Sequence, residues 1–181
     1  MRQNARGVSL IEVMVVVALL VIVTVSSIPS FTAWSANARV RAAAEAMQNG
    51  MRLAQAEGVR ANARVTLRLT DQAVPGPFSE PKPNGVNWIV LNAQNDVLQQ
   101  KGREGVVDVS MTPTDGRNGT VNGFNGNIAF TGLGQNDLSA PLYLNFDATG
   151  AERPLTVILT PGGRVRMCDP KRPSGDAQAC E

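Results

Sequence analysis

The sequence contains no histidine among its 181 residues, and this absence removes several classes of active site. Histidine is the side chain that most often acts as a general base near neutral pH and is a common ligand of transition metals. The Asp and Glu residues are scattered, without paired spacing and without a neighbouring glycine-rich phosphate loop. The chain also lacks G-x-S-x-G, C-x-x-C and Walker-type motifs. We therefore expect no enzymatic activity, no metal site and no cofactor.

Cysteine is also scarce, because the chain has only Cys168 and Cys180, both near the C-terminus. In an oxidising compartment these two residues can form a disulfide that closes the loop DPKRPSGDAQA. By the chain-entropy estimate, such a bond would contribute about 3 kcal/mol at most. In a reducing compartment they would remain a free thiol pair, so their state depends on where the tail resides.

Long hydrophobic runs are limited to one, at the N-terminus. The leader MRQNARG precedes the apolar residues 8–28, which contain one acid, Glu12. As an α-helix this run would be about 32 Å long, which matches a hydrocarbon core of roughly 30 Å. Arg2 and Arg6 precede it without an acid, so we expect the N-terminus in the cytoplasm and the rest outside. A secretory signal peptide and a plain single-span anchor are alternatives, although no clear A-x-A cleavage site follows.

The segment from Gly7 to Glu12, followed by the apolar run, resembles the class III signal of type IV pilins and pseudopilins. In that family a prepilin peptidase cuts after the glycine and methylates the new N-terminus. The resemblance implies a mature chain that begins at Val8, where the family more often has Phe. It implies that Glu12 pairs with the N-terminal amine of a neighbouring subunit, in a first helical turn that favours an anion. It also implies that Pro29 breaks or softens the helix near its middle.

After residue 28, a second helical pattern is present. Apolar or small side chains recur at alternating spacings of four and three, which is typical of an amphipathic helix with one buried face. They are Val40, Ala44, Met47, Met51, Ala54 and Gly58. Phe31 and Trp34 precede this helix, where aromatic side chains suit either a membrane interface or packing between subunits.

Period-two alternation begins after Gly58 and predicts strands. The predicted strands are residues 65–69, 87–91, 128–130, 142–146, 155–159 and 164–167, with weaker segments near residues 97–98 and 106–109. The sequence Pro161-Gly162-Gly163 predicts a hairpin between the last two strands. Residues 112–127 are rich in Gly, Asn and Thr and predict a long exposed loop.

The predicted fold class is therefore α+β and type IV pilin-like. A long N-terminal helix, half transmembrane and half amphipathic, would pack on antiparallel β-sheets, with a C-terminal hairpin and tail. The expected organisation is a cleaved leader (residues 1–7), a transmembrane helix (residues 8–28) and a periplasmic or extracellular domain (residues 29–181).

Nearly the whole mature chain resembles one branch of the pilin superfamily, the FimT/GspH group of minor pilins and pseudopilins. The marks of the resemblance are NIAFTGLG, residues 127–134, and GRVR, residues 163–166. The FimT side of the group is associated with DNA uptake, and there a G-R-x-R segment and a basic tail bind DNA. The resemblance implies DNA contacts by Arg164 and Arg166, with Lys171 and Arg172 as helpers. GspH-type pseudopilins share the fold and serve type II secretion.

The charge of the whole chain gives no support to nucleic-acid binding. The precursor has 17 Lys and Arg against 15 Asp and Glu, and removal of residues 1–7 leaves 15 of each. Locally, residues 164–172 contain four cations and one acid, Asp169. Arginine can donate two hydrogen bonds to one phosphate, and four phosphate contacts imply a log–log salt slope of roughly −3 to −4. A solvated cationic strand end, paired with Asp169 and Asp176, would explain the same residues without DNA.

The sequence thus predicts a minor pilin that captures extracellular DNA for natural transformation. The expected partners are DNA, other pilins, prepilin peptidase and the bacterial inner membrane. The expected location is that membrane, in a single pass, and later the periplasm or pilus surface. The competing hypothesis is a structural role alone, either priming pilus assembly or acting as a pseudopilin of a type II secretion system.

Overall fold

The computed structural model describes residues 9–102, 108–116, 119–121 and 123–180. Gly7 and Val8, which form the predicted cleavage site, lie outside the described residues. Within these ranges one long helix is followed by strands that pair in two antiparallel sheets. The elements are α1 (Leu10–Ala61), β1 (Val65–Thr70), β2 (Asn87–Leu91), β3 (Val97–Lys101), β4 (Val109–Asp115), β5 (Gly119–Thr120), β6 (Asn127–Phe130), β7 (Leu142–Ala148), β8 (Leu155–Leu159) and β9 (Val165–Cys168).

The first half of α1 exposes its apolar side chains. The large hydrophobic residues from Leu10 to Val23 are each at least half exposed, and so are Phe31 and Trp34, whose ring centroids lie 5.8 Å apart. The helix is continuous past Pro29, so this residue does not break it. A proline removes one backbone donor, and the hydrogen bonds of the turns on either side maintain the helix. No helix in the described part of the chain combines the length and apolar character needed to cross a membrane.

The second half of α1 packs on both sheets through the predicted stripe. All six stripe residues, from Val40 to Gly58, are buried, which confirms the amphipathic pattern. Gly50 lies beside them and faces the Trp88 ring of β2, where a Cβ atom would approach the ring to 2.8 Å. The helix ends at Asn62, whose left-handed conformation (φ 46°) lets its N–H donate to the carbonyls of Gly58 and Val59.

The two sheets have the strand orders β3-β2-β1-β6 and β5-β4-β7-β8-β9, and every pair of neighbouring strands is antiparallel. Their inner faces and α1 enclose one apolar core. The core includes the fully buried side chains of Met47, Met51, Leu67, Phe130, Leu144, Phe146 and Leu159. This architecture confirms the α+β prediction, and it places β9 at the outer edge of the second sheet, beside α1.

The predicted loop at residues 112–127 is wrong in part, because residues 112–115 belong to β4 and residues 119–120 form β5. Pairing with β7 overrides the composition, since Met111 lies opposite Phe146 and Pro113 lies opposite Leu144. Proline is tolerated at this position because the pairs with β5 begin only at Thr114, which leaves Pro113 at an open edge.

Candidate functional site

The turn between β8 and β9 confirms the predicted hairpin. Thr160 and Arg164 close it, with the Thr160 N–H donating to the Arg164 carbonyl at 3.0 Å. Gly163 occupies the left-handed region (φ 84°), and its N–H donates to the Thr160 carbonyl at 2.8 Å. The turn therefore has a defined conformation that positions Arg164 at the start of β9.

The loop that follows β6 holds this turn in place. The Asn136 side chain donates to the Thr160 carbonyl at 2.6 Å, and the Gln55 side chain of α1 donates to the Gly134 carbonyl at 2.7 Å. A Cβ atom on Gly163 would collide with the Gly134 carbonyl and with the Gln55 amide. The two stretches that carry the sequence resemblance, residues 127–134 and 163–166, are therefore in direct contact.

Arg164 is the most accessible of the predicted DNA-binding residues. Its backbone is engaged in the turn, where the N–H donates to the Thr160 hydroxyl at 3.3 Å. Its side chain is exposed, and no hydrogen bond or ion pair of the guanidinium is found among the residues that the structure describes. This charge is thus available to an external anion.

Arg166 lies on the outer face of the second sheet. Along β9, Val165 and Met167 pack against the main core, so Arg166 and Cys168 project to the opposite face. Arg166 is half-buried, pairs in register with Ile158, and directs Nη2 to the Ala179 carbonyl at 3.5 Å. Its guanidinium is already in contact with the C-terminal tail.

The tail is folded onto that outer face by a disulfide between Cys168 and Cys180, as predicted. Both cysteines are buried in a second small apolar cluster with Ile158, against which Tyr143 packs. The Asp169 N–H donates to the Gln178 carbonyl at 2.8 Å, so the two ends of the loop are also joined through the backbone. The tail is a structured cap on β8 and β9.

Lys171 and Arg172, the predicted helpers, already have partners within the protein. The Lys171 ammonium donates to the Glu152 carbonyl at 2.7 Å. The Arg172 guanidinium lies 3.2 Å from a carboxylate oxygen of Asp176 and 3.7 Å from one of Asp169. Neither cation can bind phosphate with its full hydrogen-bonding capacity without giving up one of these contacts.

The four predicted cations do not form a compact patch. Arg172 lines an open groove of about 550 Å³ that also contacts Trp34 and Arg41 of α1. Arg164 follows Gly163, which packs beside Gln55 at the other end of the same helical segment. Arg41 and Gln55 are separated by about 21 Å along a helix axis. Arg164 and Arg172 are therefore far apart along the side of the domain where β9 faces α1.

A further arginine of this region, Arg52, was not singled out by the sequence reasoning. The Gln48 amide, oriented to satisfy both neighbours, accepts hydrogen bonds from Arg52 Nη2 at 3.2 Å and from the Met167 N–H at 3.3 Å. A sequence signal exists, because Arg41, Gln48, Arg52 and Gln55 repeat at helical spacing directly beside the buried stripe.

Two more cations near this end of the domain are neutralised by acids. Arg60 pairs with Glu57 at 2.7 Å, and Arg64 pairs with Asp137 at 2.9 Å. The hydrogen bond and the charge of Glu57 raise the pKa of Arg60. In the described part of the chain, no group of three or more metal-ligating side chains lies together.

Comparison with known protein families gives two matches. Residues 43–163 match the sequence profile of the family described as type II transport protein GspH. Residues 2–28 match the prokaryotic N-terminal methylation motif. The first match ends just before Arg164, so Arg164, Arg166 and the tail lie beyond it. A comparison with curated protein sequences finds no match.

Solved structures with a similar fold include those of one minor pilin and one minor pseudopilin. The type IV minor pilin FimU of Pseudomonas aeruginosa superimposes with a TM-score of 0.52 at 13% identity, over 78% of this chain and 95% of that chain. The minor pseudopilin EpsH from the type 2 secretion system of Vibrio cholerae gives a TM-score of 0.48 at 12% identity, over 74% of this chain and 99% of that chain. At these identities the likeness to FimU shows a shared fold.

Proposed function

This chain belongs to the GspH family of pilin-like proteins, and from that premise we propose that it is a minor pilin of a type IV pilus that binds extracellular DNA during natural transformation. In this proposal, prepilin peptidase removes residues 1–7 by cutting after Gly7 and methylates Val8, consistent with the N-terminal methylation motif. Residues 8–28 anchor the precursor in the bacterial inner membrane with the N-terminus in the cytoplasm. Residues 29–181 form the periplasmic domain that later lies on the pilus.

The assembly part of the proposal is supported by the first half of α1. An exposed apolar surface of this length requires a cover of lipid or of other apolar helices. Glu12 is exposed in the first turn of the helix, where a carboxylate is favoured by the helix dipole. Inside an apolar assembly an unpaired carboxylate is costly, so pairing with the amine of a neighbouring pilin would set the register of the subunits.

The DNA-binding part of the proposal is carried by Arg164. An exposed guanidinium on a turn held by Gly163 and Asn136 can contact a phosphate with little loss of conformational freedom. Arg166 lies two residues later, about 7 Å along the chain. Both contacts would be made to the DNA backbone, so binding would be independent of sequence and sensitive to salt.

Lys171 and Arg172 take a secondary role in this proposal. Each must exchange an internal contact for a phosphate, and the pair of carboxylates beside Arg172 also repels DNA. We therefore expect the log–log salt slope to fall between about −2, for Arg164 and Arg166 alone, and about −4, for all four cations.

The test is DNA binding by the full chain in a non-ionic detergent, measured as fluorescence anisotropy of a labelled duplex over a salt series. The double variant Arg164→Ala plus Arg166→Ala should lose most of the affinity and about two units of the salt slope. The control is Arg41→Ala plus Arg60→Ala, which removes two arginines that are paired with acids. Absence of binding by the unsubstituted chain at low salt overturns the DNA proposal, and binding that survives the double variant overturns the site.

A structural role without DNA binding is the second candidate. It is favoured by the balance of 15 basic and 15 acidic residues in the mature chain. It is also favoured by the family match, which ends before Arg164 and Arg166. This role, as a primer of pilus assembly or a pseudopilin of type II secretion, predicts no DNA binding in the same assay. It predicts instead a loss of filaments or of secretion when the protein is deleted.

A further inference from the structure

A polar stripe of α1 runs beside β9, the edge strand of the second sheet. Each member of the stripe follows directly after a buried residue of the apolar stripe, so the two stripes are parallel on neighbouring faces of the helix. The polar stripe consists of Arg41, Glu45, Gln48, Arg52 and Gln55. It meets β9 through the Gln48 amide and meets the loop after β6 through the Gln55 amide. We call the line where this stripe meets β9 the α1–β9 seam.

Backbone N–H groups of β9 point toward this seam. Thr160 and Arg164 form a hydrogen-bonded pair, and such pairs alternate along an antiparallel ladder. Val165 and Met167 therefore direct their N–H groups away from β8, toward the seam. The Met167 N–H is satisfied by Gln48, whereas no partner of the Val165 N–H is found among the described residues. The seam thus offers a backbone donor between Arg164 and Arg166.

The charges along the seam differ in their availability. Arg41 is neutralised by Glu45, since their side chains form an ion pair of 2.8 Å. Arg52 is exposed, and its only hydrogen-bond partner in the described part of the chain is the neutral Gln48 amide. A guanidinium next to a neutral amide retains its full charge and most of its five donors. Arg52 is therefore placed beside β9 as an uncompensated cation.

We infer that Arg52 is a third phosphate-contacting residue of the DNA-binding edge, and that the α1–β9 seam at Arg52 and Val165 holds the phosphate next to the one bound by Arg164. This inference depends on the proposed DNA-binding function. The chemistry required is that of a phosphodiester: an anion that accepts a charged hydrogen bond from Arg52 and a neutral one from the backbone. The proposed DNA-binding surface thereby includes a residue of α1 as well as residues of β9.

The test is the salt dependence of duplex DNA binding by the full chain in non-ionic detergent. Arg52→Gln should weaken binding about threefold to tenfold at low salt and reduce the log–log slope by about 0.9, the value of one phosphate contact. Arg52→Lys should retain the slope, because the charge remains while the planar fork is lost. Arg41→Gln is the matched control: it makes the same charge change on the same stripe and should leave the slope unchanged, because that arginine is paired.

The outcomes separate this inference from the proposed function. If the unsubstituted chain binds and the Arg164→Ala plus Arg166→Ala variant does not, while Arg52→Gln behaves like Arg41→Gln, the DNA function stands and the role of Arg52 is refuted. If the unsubstituted chain does not bind DNA, both fail together. A circular dichroism spectrum and thermal midpoint equal to those of the unsubstituted chain establish that Arg52→Gln has not acted through misfolding.

Discussion

Arg164 and Arg172 carry the same guanidinium, yet their surroundings give them different affinities for an external anion. Arg172 has two carboxylates within 4 Å, and these compete with any phosphate and repel it. Exposed ion pairs are individually weak, on the order of 1 kcal/mol or less, so this competition reduces binding without abolishing it. Arg164 has no such competitor in the described residues. A count of cations along the sequence overestimates the number available to an external anion, because it treats Arg164 and Arg172 alike.

Gly163 is required at its position for two independent reasons, a left-handed φ of 84° and the lack of room for a Cβ atom against the Gly134 carbonyl. Gly163→Ala should therefore reduce the free energy of unfolding by about 2–4 kcal/mol, from the backbone cost and the steric clash together. The measurement is urea unfolding followed by circular dichroism.

Gly162→Ala is the matched control, since a Cβ atom there meets no other atom within 4 Å. Its effect should stay within about 0.5 kcal/mol, as is usual for surface substitutions. Equal destabilisation by both substitutions would show that the contact between residues 134 and 163 does not hold the turn. The proposed phosphate contact of Arg164 would then lack a rigid support.

At the scale of the elements, local periodicity is sufficient to predict a helix or strand where one face of that element is buried. The stripe from Val40 to Gly58 predicts a helix with one buried face, and the structure confirms it. The alternation in residues 65–69 predicts a strand with one buried face, and this is also confirmed. β4 was missed over residues 112–115, since Thr112 and Thr114 carry no apolar signal and their strand conformation depends on pairing with β7. Information that resides in a partner strand is absent from the local sequence.

The candidate site likewise combines residues with a local sequence signal and residues without one. The period of a strand predicts that Arg164 and Arg166 share one face, although β9 begins only at Val165. The sequence does not predict that Arg52 lies near these arginines. Its proximity to β9 depends on a tertiary contact between Gln48 and Met167, which are more than 100 residues apart in the sequence. The folded tail was also beyond local patterns, since residues 169–180 have no apolar periodicity and depend on the disulfide.

The C-terminal cap should depend on its disulfide more than the rest of the domain does. Replacing Cys168 and Cys180 together by Ser should cost up to about 3 kcal/mol, the chain-entropy value for a loop of this length. For a chain of this size the full ~3 kcal/mol corresponds to a decrease in the melting temperature of roughly 6–12 °C. The measurements are thermal unfolding and amide hydrogen exchange, with faster exchange expected at Ala179 and Asp169 than at core strands β1 and β7.

A reducing agent provides the internal control for this prediction. It should lower the melting temperature of the unsubstituted chain toward that of the double Ser variant and leave the variant itself unchanged. If the variant keeps slow exchange in the tail, the cap is held by backbone contacts such as Asp169 to Gln178. In that case the orientation of Arg166, which contacts Ala179, does not depend on the redox state of the compartment.

At the scale of the whole molecule, the two halves of α1 differ in exposure, because apolar side chains are exposed in the first half and buried in the second. A helix of 52 residues is about 78 Å long, and only its second half is covered by the sheets. A contiguous exposed apolar surface of this kind is typical of a surface that contacts lipid or other proteins. Without residues 1–7 the chain has 15 Lys and Arg and 15 Asp and Glu, so steering of that form toward DNA cannot come from its net charge. Assembly and DNA binding are thus expected at opposite ends of one rod-like element.

This division predicts that processing and assembly can be disrupted separately by changes at the N-terminus. Gly7→Ala should block cleavage, so that the intact mass retains residues 1–7 and Val8 is not methylated. Glu12→Gln should leave cleavage intact, because the glycine is unchanged, but should abolish incorporation into filaments through loss of the pairing with the amine of a neighbouring subunit. The measurements are the intact mass of the protein and its distribution between sheared filaments and membranes.

Glu45→Gln is the control for assembly, since it makes the same chemical change in the second half of α1, where the carboxylate is paired with Arg41. Its incorporation into filaments should equal that of the unsubstituted chain. Normal cleavage of the Gly7 variant would contradict processing by prepilin peptidase, and normal incorporation of the Glu12 variant would contradict the pairing with an amine. If only the second contradiction were observed, the apolar half of α1 would suffice for assembly, and Glu12 would remain exposed at the headgroup level, where a carboxylate stays hydrated and needs no partner.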